Sequence, residues 1–281
     1  MKVNRTLLGA AFFAATAVSA YFASASGAQH AVTRTAAGDY DYQIGAILYQ
    51  QKAAEYRALA YQAYNLARWQ LDADLDKKNV KKLLKAERNR PRAIVVDIDE
   101  TVLDNSPANA AGAKKSLPFN IKDWYAWGEM RKAKAVPGAV DFLNYAVSKG
   151  VKIFYLSNRD EVQKQATIDN LRSVGFTDIS AENVQLRDKE STKEPRRIAI
   201  AAKYRIVMLM GDNLDDFSNV FERKSVIERF NEADKARELW GKRFIVLPNA
   251  MYGTWESAVY GYERLTEAQK AERRANALEL P

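Results

Sequence analysis

The sequence predicts an α/β protein: a doubly wound parallel sheet with a helical N-terminal subdomain and a small cap insertion. Three observations carry that expectation. Short apolar runs suited to buried strands recur at 93–97, 151–156, 183–186, 206–210 and 244–247. Helical patterns lie between most of them, and alternating strands and helices build parallel sheets. Acidic and polar residues gather at the ends of several runs, where open α/β sheets bind ligands.

Residues 1–25 read as an export signal. Lys2 and Arg5 precede an apolar, Ala-rich stretch at 7–22, and Ala23-Ser24-Ala25 fits a small-residue cleavage site. The stretch is short for a membrane span, so cleavage is expected, with no stable membrane insertion afterwards. Residues 26–39, rich in Ala, Gly, Ser and Thr, read as a flexible lead-in. A helical subdomain is expected over 40–90. There Ile44, Ile47, Leu48, Tyr56, Leu59, Ala60, Ala63 and Leu66 recur at three- and four-residue steps. Its last part, 77–90, is a basic, solvated connection.

The remainder, 91–281, reads as the α/β core. Pro137-Gly138 opens a helix that stops at Gly150, and a second helix over 160–174 is closed by Gly175. Glu194-Pro195 opens a third, running through Tyr204. Residues 105–135 break this rhythm after the first strand. With Pro107, Pro118, Trp124 and Trp127, they are expected to form a cap over the strand ends.

Composition removes several kinds of chemistry. The 281 residues are 47% hydrophobic, enough for a substantial core. A formal net charge of +8 is spread along the chain. It biases toward phosphate-bearing ligands, and no motif for a nucleic acid polymer accompanies it. The chain has no Cys, which excludes thiol nucleophiles, disulfides and thiolate metal sites. It also excludes a lipid anchor at the cleavage point, so an exported, periplasmic or secreted protein is expected. The single His, His30, lies near the N-terminus, which leaves no imidazole for a triad or a phosphohistidine. Acid–base or covalent catalysis must come from Asp, Glu, Lys, Tyr, Ser or Thr.

Four elements supply such groups. Asp97-Ile98-Asp99-Glu100-Thr101 follows the first apolar run, and carboxylates this close repel one another unless a cation keeps them ionised. Ser157-Asn158-Arg159 follows the second run. Lys193 opens a helix, with Lys189 as its rival in the same charged stretch. Gly211-Asp212-Asn213-Leu214-Asp215-Asp216 follows the fourth run. Each has a plainer reading taken alone: turn acids for Asp99 and Glu100, caps for Ser157 and Asn158, a solvated Lys193, helix N-terminal acids for Asp215 and Asp216. Together, three at strand ends and Lys193 at a helix start, they point to phosphoryl transfer.

The ordered set Asp-x-Asp-x-Thr, Ser-Asn-Arg, Ser-x-Lys and Gly-Asp-Asn-Leu-Asp-Asp-Phe resembles the haloacid dehalogenase superfamily, and within it the class C bacterial acid phosphatases, a nucleotidase-like branch. Further similarity lies at 48–51, 53–56, 136–139 and 247–253, so the resemblance covers about 45 to 258. It implies a Mg²⁺-dependent acid phosphatase acting on small phosphomonoesters, including nucleoside 5′-monophosphates and aryl phosphates. Asp97 would be the nucleophile, and Asp99 would protonate the leaving oxygen and then activate water. Mg²⁺ would be held by Asp97, the Asp99 carbonyl and Asp212, with Asp216 orienting metal waters or Lys193. Ser157, Asn158 and Lys193 would bind the phosphoryl group. The resemblance favours Tyr252 and one of two tryptophans, Trp127 among them, as aromatic substrate contacts. Packing of the cap is an equal reading for any single ring. Two alternatives stay open: a phosphotransferase using the same intermediate, and a non-catalytic surface binding protein. Assembly as a homo-oligomer also stays open.

Overall fold

The computed structural model describes residues 40–281, so the expected signal, the lead-in and His30 lie outside the described residues. Among them run seven strands: β1 (Arg92–Val96), β2 (Leu103–Asp104), β3 (Lys134–Ala135), β4 (Lys152–Asp160), β5 (Val184–Arg187), β6 (Arg205–Gly211) and β7 (Phe244–Val246). Five join one sheet in the order β5-β4-β1-β6-β7, with every neighbouring pair parallel. The other two, β2 and β3, form a small antiparallel pair.

The longer helices are α1 (Ile44–Lys52), α2 (Ala54–Leu75), α3 (Ser106–Lys114), α4 (Ile121–Met130), α5 (Ala139–Ser148), α6 (Lys164–Ser173), α7 (Glu194–Lys203), α8 (Val226–Lys235), α9 (Thr254–Val259) and α10 (Glu267–Asn276). They cover both faces of the sheet. Ile94 and Val96 of β1 look toward one face with Ile153, Tyr155, Met208 and Met210. There they pack on Ala60, Ala67 and Leu71 of α2 and Leu143 of α5. Ala93 and Val95 look the other way, with Phe154 and Leu156, onto Ile200 of α7. Strand alternation therefore serves two buried faces, which is why the β1 run is apolar throughout.

The long helix α2 lies on the core by an Ala-rich stripe: Tyr56, Ala60, Ala63, Tyr64, Ala67 and Leu71 are buried. The periodicity also put Leu59 among the repeating apolar positions of this helix, and Ile44 and Leu48 among those of α1, and all three are exposed. Small side chains let the helix approach the sheet closely, so the buried face follows the alanines rather than the largest apolar residues. The end of α2 is stapled to the sheet. Asp74 accepts from Arg92 Nε at 2.6 Å and from Arg205 Nη1 at 2.6 Å, at the starts of β1 and β6.

Two differences from the sequence reading bear on the site. β4 does not stop at residue 156 but continues to Asp160, which pairs with Arg187 of β5. Ser157, Asn158 and Arg159 are thus extended, and alternation buries Ser157 and Arg159 while exposing Asn158. The helix read over 160–174 starts later, at Lys164, after a 3-10 turn at Glu161–Gln163. The region before β7 also holds α8, a helix the strand-centred reading omitted. Its start is a capping box between Ser225 and Glu228, a signal visible in Ser-x-x-Glu.

Candidate active site

Asp97 is the first residue beyond β1. Its N–H donates to the Met210 carbonyl at 2.9 Å, which fixes it beside the end of β6. Two central strands thereby deliver Asp97 and Asp212 to one place, as the crevice rule for open sheets requires. Lys193, the residue preceding α7, is buried, and its Nζ donates to Asp97 Oδ1 and, at 2.6 Å, to Asp216 Oδ1. Asp216 sits in a 3-10 turn after β6, where its Oδ2 accepts from the Asn213 N–H at 3.0 Å. That turn is tight enough to need Gly211: a Cβ there would lie 2.4 Å from Asp216 Oδ2. Asp212 accepts from Thr101 Oγ1 at 2.9 Å and from Asn249 Nδ2 at 2.9 Å.

The electrostatics follow from burial. Loss of water pushes the Asp97 carboxyl well up, against the opposing pull of the Lys193 ammonium. Asp212 is pushed up to about 7, first by burial and then by the charge of Asp216, with Asn249 and Thr101 resisting. Burial pulls the Lys193 ammonium down, but Asp216 and Asp97 more than offset this and hold it above the ordinary lysine range. Carboxylate oxygens of Asp97, Asp212 and Asp216 lie within 4.8 Å of one another. One ammonium among three carboxylates leaves negative charge in excess. The all-oxygen donor set therefore fits a hard divalent cation, which would relieve the repulsion.

Asp99 occupies the neighbouring position on the same loop. It accepts from Ser157 Oγ at 3.0 Å, Arg159 Nε at 2.9 Å and Asn105 Nδ2 at 2.8 Å. The chain then turns through a left-handed Glu100, φ 58°. That conformation costs a residue with a Cβ about 1–2 kcal/mol, so the surroundings must hold it. They do: Glu100 is fully buried, accepts from the Asn105 N–H at 2.8 Å and takes the Tyr252 hydroxyl on its other oxygen. Burial, with the charges of Asp99 and Asp212, pushes the Glu100 carboxyl well up.

The remaining predicted residues are placed as follows. The Ser157 side chain is buried, with its hydroxyl on Asp99 and accepting from the Arg159 N–H at 3.0 Å. Asn158 is exposed, and Arg196 Nη2 donates to its Oδ1 at 3.0 Å. A guanidinium can only take the amide oxygen, so the NH₂ end of Asn158 is left to donate elsewhere. Trp127 is half-buried and donates through Nε1 to Asn105 Oδ1 at 2.9 Å. Tyr252 is half-buried on Glu100. Lys189 is exposed, and it is Lys193 that reaches the carboxylates.

The sequence reading gave no role to Thr101, Asn105, Arg159, Arg196 or Asn249. Thr101 and Arg159 lie inside motifs already noted, and Asn249 lies in the Leu-Pro-Asn stretch. Asn105 and Arg196 carry no signal that spacing reveals.

Comparison with known proteins agrees with this geometry. Residues 10–255 match the family described as HAD superfamily, subfamily IIIB (acid phosphatase). The structure of the class C acid phosphatase from Bacillus anthracis superposes with a TM-score of 0.80 and 40% identity, over 86% of this chain and 99% of that one. The same phosphatase with tungstate bound gives 0.80 and 41%, over 86% and 99%. Acid phosphatase 1 of Solanum lycopersicum is 27% identical over 128 residues, 43% of this chain. That match spans half the length (50%) of the tomato protein. A parallel α/β sheet carrying these carboxylates, together with the family match over most of its length, places this chain in subfamily IIIB of the haloacid dehalogenase superfamily, the acid phosphatases.

Proposed function

We propose that this chain is an exported, Mg²⁺-dependent acid phosphatase that hydrolyses small phosphomonoesters through an aspartyl-phosphate. The observation that carries the reading is Lys193 bridging Asp97 and Asp216 beside Asp212, at the end of the central strand. A buried carboxylate held by an ammonium is a fixed nucleophile rather than a solvated turn acid.

In this scheme an Asp97 oxygen bonds to phosphorus as the P–O bond to the leaving group breaks. The leaving oxygen takes a proton from the Asp99 carboxyl and departs as an alcohol. Asp99, now a carboxylate, removes a proton from water. The resulting hydroxide attacks phosphorus, releases phosphate and restores Asp97. Lys193 and the NH₂ end of Asn158 donate to phosphoryl oxygens as negative charge gathers there, and Ser157 holds Asp99. Asp97, the Asp99 carbonyl and Asp212 would hold Mg²⁺, with Asp216 supporting Lys193. When bound, that ion supplies charge neutralisation at the phosphoryl oxygens.

Substrates are expected among nucleoside 5′-monophosphates and aryl phosphates. Trp127 and Tyr252 are both tethered by their polar edges, and rings fixed in this way make rigid walls for an aryl or base group. A relative with bound tungstate, a tetrahedral oxyanion like phosphate, supports the choice of ligand. No helix of the described residues is long and apolar enough to cross a membrane. Export is proposed from the sequence of residues 1–25.

The test is phosphate release from p-nitrophenyl phosphate and AMP, with and without Mg²⁺, by the wild type and Asp97→Asn. Metal-dependent release that the substitution abolishes supports the reading. Equal release by both proteins rejects Asp97 as nucleophile.

A further inference from the structure

Asp99 is held by more than its own loop. Arg159 is buried, and its guanidinium spans Asp99 Oδ1, Asn105 Oδ1 at 3.1 Å and Thr167 Oγ1 at 3.1 Å. Asn105, also buried, gives its NH₂ to Asp99 and receives both Arg159 and the Trp127 indole N–H on its one amide oxygen. The Trp124 ring lies 5.2 Å from the Arg159 guanidinium. Four parts of the fold meet here: the chain that follows β1 as far as Asn105, the end of β4, helix α4 of the insert and helix α6. Such a network is strong when every member is satisfied and loose when one is removed.

We propose that Arg159, Asn105, Thr167 and Trp127 form a positioning relay that aims the Asp99 carboxyl at the leaving oxygen. Trp127 acts in it through its N–H edge, separately from any contact its ring makes with substrate. The proposal rests on the reading of Asp99 as the proton donor. It assigns two tasks to one indole: the face walls the site and the edge fixes Asn105. Asn105 can accept from Trp127 and Arg159 only with its oxygen, so its NH₂ is committed to Asp99. Losing the indole N–H leaves the amide oxygen to Arg159 alone, and the 2.8 Å bond from Asn105 to Asp99 is held less firmly.

A misaimed acid has a signature that a general loss of folding does not. Departure of a strongly basic alkoxide needs the proton, whereas departure of a dinitrophenolate does not. The experiment measures kcat/KM for a series from 2,4-dinitrophenyl phosphate through phenyl phosphate to glycerol phosphate, each with Mg²⁺. It compares wild type, Asp99→Asn, Trp127→Phe and Thr167→Val. Trp127→Phe keeps a ring and removes the N–H. Thr167→Val keeps the shape and removes the acceptor of Arg159, which gives a second variant if the first fails to fold.

The expected result is a slope in both relay variants: the loss on glycerol phosphate exceeds the loss on dinitrophenyl phosphate by about tenfold, whatever the narrower ring of Trp127→Phe costs the aryl substrates themselves. Asp99→Asn should show the same slope more steeply. A uniform loss across the series, or none, in Trp127→Phe and Thr167→Val while Asp99→Asn steepens overturns the relay alone. A flat series for Asp99→Asn overturns the role of Asp99, and the relay with it.

Discussion

The Tyr64 hydroxyl, in the middle of α2, donates a 2.6 Å hydrogen bond to the backbone carbonyl of Thr101. Both residues are buried, so the bond ties the long helix directly to the loop that carries Asp97 and Asp99. Thr101 in turn donates to Asp212. Tyr64→Phe leaves the carbonyl without its donor in a dry place. The expected cost is about 1–3 kcal/mol, read as a lower urea midpoint with an unchanged slope. Half-saturation by Mg²⁺ should rise, because Thr101, whose hydroxyl holds Asp212, then sits on a less firmly tied loop.

Removal of Lys193 should make stability depend more strongly on the cation. Lys193→Met strands two buried carboxylates, Asp97 and Asp216, with no ammonium between them. Breaking a buried pair in this way costs about 3–5 kcal/mol. A divalent cation can take over part of the neutralisation. Mg²⁺ is therefore expected to raise Tm more in Lys193→Met than in the wild type, while activity stays at least about a hundredfold down. Equal thermal shifts in both proteins would show that the cation and Lys193 do not share those carboxylates.

Arg196 sets which end of Asn158 is offered to a ligand. Its guanidinium also donates to the Ser157 carbonyl at 2.9 Å, so it braces the end of β4 as a whole. Arg196→Gln is expected to raise KM for phosphomonoesters by about tenfold, with a smaller change in kcat. A drop in kcat with KM unchanged would place Arg196 in a different role.

The Asp74 staple predicts an acid limb to the stability curve. Burial alone would raise this carboxyl, but the hydrogen bonds and charges of Arg205 and Arg92 hold it below its ordinary value of 3.8. A folded value depressed below the unfolded one stabilises the fold at pH above 3.8, and that contribution is lost as pH falls through the folded value. Asp74→Asn should cost about 1–3 kcal/mol near neutrality. The gap between wild type and variant should narrow below about pH 4, as chemical denaturation across pH will show.

Much of this protein is set by local pattern. Apolar runs bounded by turns placed every strand of the main sheet, because a parallel strand buried on both faces has to be apolar along its length. The order of those runs with their intervening helices gave the fold class. The carboxylates at 97, 99 and 212, with Lys193, were visible because strand ends are where such a fold concentrates its polar groups. The absence of Cys, and of any His beyond residue 30, removed other chemistries without any structure at all.

What only the tertiary structure decided are choices among residues whose local sequence looks alike. Lys193 rather than Lys189 meets Asp97, because only Lys193 stands at the start of α7, facing the end of β1. Ser157 is turned to Asp99, because β4 continues past the expected turn and alternation points that side chain inward. Asn105 and Arg159 join a buried network whose members come from positions 99, 105, 127, 159 and 167. Those contacts depend on how strands and helices stack across the fold. Pattern along the chain encodes which face a residue takes, but not which distant partner it finds there.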